Sequence, residues 1–248
     1  MPGITFPTRS FLIVDDHNFS RITVLRLLKN MGDPQTYSAT NGIEALSLLE
    51  QRSHSIHCVI ADFNMPIMHG LMLLKHIRTG YKNIQRNLPV LMLTGHSDSA
   101  LVELAIQLDV NSFVLKPVTK KTLTDRLLRI FKTHDPQDDS NLKSAPEYEA
   151  LDVDTRIRDI LEQNAASQVE DSSINGSRQC EIISYNIMRI NINDAQPGLV
   201  LARPVCSKDG NQIFVVEGIT LSYKHLETLR DLVDMGIIDP IITVSKPT

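Results

Sequence analysis

The chain has 248 residues, 42% hydrophobic and 22% charged, with a formal net charge of -4; that is room for two units of ordinary domain size and excludes wholesale disorder. Its longest apolar runs, such as Phe11 to Val14, fall far short of the roughly 20 residues that cross a bilayer. MPGITFPTRSF has no basic start leading into an apolar region, so a cytoplasmic location is expected.

Five strand-helix pairs succeed one another over the first 134 residues: FLIVDD and FSRITVLRLLKNMG, TYSAT and GIEALSLLEQR, HCVIAD and GLMLLKHIR, LPVLMLTG and SALVELAIQLD, SFVLKP and TKKTLTDRLLRIFK. The strands read as continuous apolar runs, the pattern of a parallel sheet buried on both faces. The stretches between them space apolar residues three and four apart, as in Ile22, Leu25 and Leu28 or Leu123, Leu127 and Ile130. The expected fold class is α/β: a doubly wound five-stranded parallel sheet, followed by a small C-terminal α+β module.

Charge divides the chain in the same places. Residues 1–134 carry 15 Lys+Arg against 10 Asp+Glu, residues 135–177 carry 3 against 11, and residues 178–248 carry 7 against 8. The middle segment reads as an acidic linker whose part from Glu147 to Asn164 has helical spacing, with Leu151, Ile157, Ile160 and Leu161 as an apolar face. Two accounts fit it, a solvated or disordered segment and a short dimerising helix. From about Cys180 the pattern alternates, with Met188, Ile190 and Ile192 on one face, the turn former Lys-Asp-Gly-Asn at 208–211, and a final run IITV. A helix from Tyr223 to Met235 is expected, capped by Ser222 and ended by Gly236, with Leu226, Leu229 and Val233 inward. Cys58, Cys180 and Cys206 are odd in number and far apart, which suits free thiols.

In a doubly wound sheet, ligands bind outside the carboxyl ends of the strands. Collected by strand end, the polar residues are Asp15 and Asp16, Asp62, Thr94 and Gly95, and Lys116 with Pro117. Three clustered carboxylates repel one another until a cation compensates, and Mg2+ with its oxygen ligands suits such a set together with a phosphate. Lys116 supplies a mobile point charge and Thr94 a hydroxyl, so the rim suits an acyl phosphate on one carboxylate. Singly, each residue has a plainer role: Asp15 and Asp16 as helix caps, Lys116 as a surface lysine, Thr94 as a buried hydroxyl.

VDD at 14–16, DFNMPIMHG at 62–70, LTG at 93–95 and FVLKP at 113–117 stand in order on the five strands, and through them residues 10–134 resemble a receiver domain of the two-component response regulator family, CheY-like and flavodoxin-like in fold. The resemblance implies Asp62 as phosphoacceptor, Asp15, Asp16, Asp62 and the backbone carbonyl of Asn64 as Mg2+ ligands, and catalytic roles for Lys116 and Thr94. It further implies a switch pair of Thr94 and Phe113, with Phe113 in place of the frequent tyrosine, and rate-modulating positions at Asn64 and His96. A cis peptide at Lys116-Pro117 is implied as well. The implied donor is a sensor histidine kinase or phosphotransfer protein, and the fourth helix and fifth strand are the implied homodimer surface.

Residues 178–248 contain no HD metal pair, no GG[DE]EF or EAL signature and no P-loop. Asp194, Asp209, His225, Asp231 and Asp234 read as solvated positions in turns or on the outer helix face. Through Pro197-Gly198, Asp209-Gly210 and Glu217-Gly218 the segment resembles the small β-rich module found beside some HD-type phosphodiesterase and receiver proteins, which implies an interaction role in cyclic-di-GMP-linked signalling. The expected organisation is a receiver at 1–134, a linker at 135–177 and an output module at 178–248. The expected function is a phosphorylation-controlled response regulator acting through an unknown protein target, with no enzyme activity beyond its own phosphoryl transfer and autodephosphorylation. The alternative is a transcriptional regulator with an atypical DNA-binding module, against which the missing basic surplus counts.

Overall fold

The computed structural model describes residues 6, 8–52, 55–95, 99–135, 139–140, 142–153, 155–157, 187–208 and 213–245. Strands β1 (Ser10–Val14), β2 (Gln35–Ala39), β3 (Cys58–Asp62), β4 (Val90–Thr94) and β5 (Ser112–Leu115) alternate with helices α1 (Asn18–Lys29), α2 (Gly42–Arg52), α3 (Gly70–Thr79), α4 (Ser99–Gln107) and α5 (Lys120–Thr133). All five strands are parallel, in the order β2-β1-β3-β4-β5. The expected doubly wound sheet is present.

Successive side chains of one strand go to opposite faces. Phe11 and Ile13 of β1 pack with Val24 and Leu28 of α1 and Leu123, Leu127 and Ile130 of α5. Leu12 and Val14 pack with Leu46 and Leu49 of α2, Leu73 and Leu74 of α3 and Leu104 of α4. Burial on both faces is why the central strands read as unbroken apolar runs. The edge strand β2 departs from that pattern, for only Ala39 of its five residues is buried. On α1 the buried residues are Val24 and Leu28, whereas Ile22, expected on the apolar face, is 37% exposed.

Arg78, at the end of α3, is fully buried. Its guanidinium donates to the carbonyls of Asp109, Arg86 and Leu88 and to the side-chain oxygen of Asn111, at 2.6–3.1 Å. It ties the approaches to β4 and β5 to α3. Burial draws its pKa down to about 10, so it remains charged at neutral pH.

The first part of the acidic segment packs against this core. Helix α6 (Ala145–Glu149) begins at Ser144, which shares a capping box with Glu147. Tyr148 is buried and donates its hydroxyl to Asp109 at 2.6 Å, and Lys75 of α3 donates to the carbonyls of Glu149 and Leu151. This short helix overlaps the start of the 147–164 expectation; Val153 and residues 155–157 are helical as well, and residues 158–164 lie outside the described residues. Leu151 and Ile157 join the core cluster, while Ile160 and Leu161 lie outside the described residues.

The C-terminal part has an antiparallel sheet in the order β6-β10-β7, formed by β6 (Ile187–Asn191), β7 (Val200–Leu201) and β10 (Ile241–Ser245). A separate antiparallel pair joins β8 (Val205–Cys206) to β9 (Ile213–Val215), as the turn former at 208–211 predicts; residues 209–212 between them fall outside the described residues. The run IITV lies in the middle of its sheet. Helix α7 (Tyr223–Asp234) starts at Ser222, whose hydroxyl accepts from the His225 N–H, and Gly236 lies just beyond its end at φ 75°, the left-handed turn glycine permits.

One expectation about α7 is corrected. Asp231, expected on a solvated outer face, is 1% exposed. The helix is buried on two sides: Leu226, Leu229 and Leu232 enter the apolar cluster, and Asp231 reaches β5 of the parallel sheet. An edge strand needs a partner for its outward N–H groups, and a helical carboxylate supplies it. His225 is likewise only half exposed, and its ring nitrogen accepts from the Ser222 N–H.

Candidate functional site

The site is built at the carboxyl end of the parallel sheet. Val14 is in register with Ala61, and Asp62 with Leu93, so the residues just after β1 and at the ends of β3 and β4 meet at one rim. Ligand atoms of Asp15, Asp16, His17 and Asp62 all lie within 4.8 Å of one another. Asp15 and Asp62 are buried, whereas Asp16 is partly open to solvent.

Lys116 enters this cluster from the end of β5. Its ammonium lies 2.7 Å from an Asp62 oxygen and 3.1 Å from an Asp15 oxygen. Burial pushes the Asp62 pKa up and the negative Asp15 adds to that, while Lys116 opposes it; the net shift is upward. For Lys116 burial acts to lower the pKa, but the bonds to Asp62 and Asp15 prevail and leave it raised. One half-buried ammonium thus neutralises two buried carboxylates that would otherwise repel each other.

Asp15 also organises the start of α1. One oxygen accepts from the His17 N–H at 2.9 Å, and the other accepts from the Ser20 hydroxyl at 2.5 Å as well as from Lys116. The helix-start role and the cluster role are filled by the same carboxylate. Asp16 is paired with the His17 ring at 3.0 Å.

The loop after Asp62 is shaped by a close approach. The Gly70 N–H donates to the Phe63 carbonyl at 3.0 Å, and a Cβ on Gly70 would stand 2.1 Å from the Asp62 carbonyl oxygen. Only glycine fits there. Asn64 lies exposed on this loop, and His69 caps α3 by accepting from the Met72 N–H. Thr94 is fully buried, with its hydroxyl donating to the Gly95 carbonyl at 3.0 Å. Phe113 is fully buried and stacks on Phe63 with ring centroids 6.3 Å apart. The Lys116-Pro117 peptide is cis. His96 lies outside the described residues.

Comparison with known proteins fits this geometry. Residues 11–128 match the response regulator receiver domain. The chemotaxis protein CheY-3 of Vibrio cholerae is 36% identical over 132 residues, 53% of this chain and 98% of the relative. The chain belongs to the response regulator receiver family. A CheY homolog from Campylobacter jejuni is 32% identical over 122 residues, 49% of this chain and 92% of the relative. Among solved structures, a receiver domain from Clostridium thermocellum is 27% identical with a TM-score of 0.46, covering 50% of this chain and 94% of that one. A CheX-CheY-BeF3-Mg complex from Borrelia burgdorferi is 26% identical with a TM-score of 0.46, covering 52% and 96%. The family match to the receiver ends at residue 128, so the acidic segment and the C-terminal part lie beyond it. No helix among the described residues is long and apolar enough to cross a membrane.

Sequence reasoning missed the residues that join the receiver to the acidic segment and to α7. Asp109, in the turn before β5 at φ 53°, accepts from Lys143 and Tyr148 of the acidic segment and from Lys224 of α7. Burial works to raise its pKa, but Lys224, Lys143 and Tyr148 together hold it below the usual carboxylate range. Its isolated position between apolar stretches offered one signal, an acid with no neighbour of opposite charge close to it in sequence.

Proposed function

We propose that the chain is a two-component response regulator switched by phosphorylation of Asp62 with Mg2+, and that its output is a change in a protein-protein contact. The observation that carries this is the joint placement of three carboxylates within 4.8 Å and an ammonium 2.7 Å from Asp62. An Asp62 oxygen attacks the phosphorus of a donor phosphohistidine; the P–N bond breaks, and the imidazole keeps the electron pair and takes up a proton. Lys116 then stands beside the new phosphoryl oxygens, where a cation offsets the charge that develops.

The donor set fits a hard divalent ion, since Asp15, Asp16 and Asp62 offer oxygens and the ring nitrogen of His17 beside them is paired with Asp16. Asp15, Asp16, Asp62 and the Asn64 carbonyl would hold Mg2+, which supplies charge neutralisation at the phosphoryl oxygens when bound. Thr94 and Phe113 form the switch pair, and Asn64 and His96 are the positions that modulate the lifetime of the phosphoryl group. Domain boundaries at 134 and 177 fit this division of labour, with residues 178–248 as the output module. Nothing in the charge of that module favours DNA as its target.

Incubation of the chain with acetyl phosphate and Mg2+ tests the assignment. The expected result is one hydroxylamine-labile phosphate per chain, abolished in Asp62→Ala. Equal labelling of the two proteins refutes it.

A further inference from the structure

The β5 edge of the receiver is closed by α7, and the contact is chemically specific. One Asp231 oxygen accepts from the Ser112 hydroxyl at 2.5 Å and from the Phe113 N–H at 3.1 Å. The other is paired with Arg126 of α5, which also reaches Asp234 at 2.9 Å. Arg129 lies 3.6 Å from Glu227 and 3.7 Å from Asp231, and Lys224 at the start of α7 lies 3.3 Å from Asp109. Glu227, Asp231 and Asp234 of α7 thus meet Arg126 and Arg129 of α5, with Asp231 buried, while at the start of α7 the charges are reversed in the Lys224–Asp109 pair.

Phe113 is held from both directions. Its ring stacks on Phe63, the residue after Asp62, while its N–H donates to Asp231. Three residues further on, just past the end of the same strand, Lys116 reaches Asp62 itself. A strand of four residues has little length over which to absorb a movement at one end. A phosphoryl group brings a charge of about -1.5 to -2 and three acceptor oxygens to the Lys116 end. Hydrogen bonds weaken steeply once their geometry is disturbed, and the bonds to Asp231 are made by the first two residues of that strand.

We propose that α7 is a latch: it closes the β5-α5 face while Asp62 is unmodified, and phosphorylation releases it, freeing Ser112, Arg126 and Arg129 for an acidic helical partner. The proposal rests on Asp62 as the phosphoacceptor. The latch is the hydrogen-bond acceptor on residue 231, because that atom joins α7 to the backbone of β5.

Amide hydrogen exchange on the full chain tests it, with phosphate content measured in the same samples and the β1 and β3 amides as the control for intact folding. Acetyl phosphate and Mg2+ are expected to raise exchange across residues 223–234 at least tenfold. Asp231→Ala is expected to do the same without phosphate, and Asp231→Asn, which keeps the acceptor, to retain protection. Phosphorylated chain with unchanged exchange in α7 overturns the latch and leaves Asp62 as phosphoacceptor standing. Absence of phosphate on the intact chain overturns both. Unaltered protection in Asp231→Ala removes Asp231 from the account, and loss of protection in Asp231→Asn equal to that in Asp231→Ala overturns the hydrogen-bond acceptor as the latch.

Discussion

Gly70→Ala places a methyl group where the main chain of Asp62 stands. The added Cβ would lie 2.1 Å from the Asp62 carbonyl oxygen and 3.1 Å from its carbonyl carbon, with the Met92 sulfur at 3.4 Å. An ordinary carbon-oxygen contact is about 3.3 Å, so the start of α3 and the end of β3 must part by about 1 Å. Neither can yield as a flexible side chain does, since the obstructing atoms are backbone and Asp62 lies in the buried centre of the sheet. Overpacking of this kind costs about 1–3 kcal/mol. A displacement of about 1 Å at a reacting group costs up to about 100-fold in rate. The initial rate of labelling by acetyl phosphate, with urea unfolding of the same protein, reads both quantities. The expected result is a 10- to 100-fold slower labelling and a lower unfolding midpoint. Labelling at the wild-type rate with unchanged stability refutes the claim that the close approach of Gly70 positions Asp62.

Two more outcomes rest on buried charge. Arg78→Met removes the donors to the Arg86 and Leu88 carbonyls; at about 1–3 kcal/mol for each buried acceptor left unsatisfied, urea unfolding should show a loss of about 2–6 kcal/mol, and a loss under about 1 kcal/mol refutes the bracing role. Asp231 has its carboxyl pushed up to about 6 by burial, with Arg126, Ser112, the Phe113 N–H and Arg129 opposing. A carboxyl raised in the folded state adds stability that is complete below its unfolded pKa, near 4, and is lost as pH rises through about 6. Protection of α7 should therefore fall between about pH 4 and pH 6 relative to Asp231→Asn; parallel pH profiles for the two proteins contradict that shift.

The parallel sheet was legible because its signal is local and repeated. Each central strand is short, apolar and succeeded by a helix with three-four spacing, the pattern of a parallel sheet covered by helices on both faces. The rim was legible for a related reason: strand ends are marked by the point at which apolar residues give way to Asp15, Asp62, Thr94 and Lys116, and the topology gathers those ends. What failed to show was everything decided by contacts between distant segments. Ile22 has the spacing of an inward residue, yet Val24 and Leu28 are the buried residues of α1. Tyr148 sits in an acidic, polar stretch whose composition suggests solvation, but its ring is covered and its hydroxyl is matched to Asp109.

Asp231 shows why such a residue resists sequence reasoning. On a helix whose apolar face is already accounted for by Leu226, Leu229 and Leu232, an acid on another face has water as its default environment. Its burial depends on a partner more than a hundred residues away: the outward N–H of an edge strand, which has to be satisfied by something. The same requirement links the two halves of the molecule. The strand whose last residue precedes Lys116, the ammonium on Asp62, is the strand whose first residues need a cover, so any helix that covers it is placed within one short element of Asp62. Asp231 at the first two residues of β5 and Lys116 just past its last are thus separated by one four-residue strand.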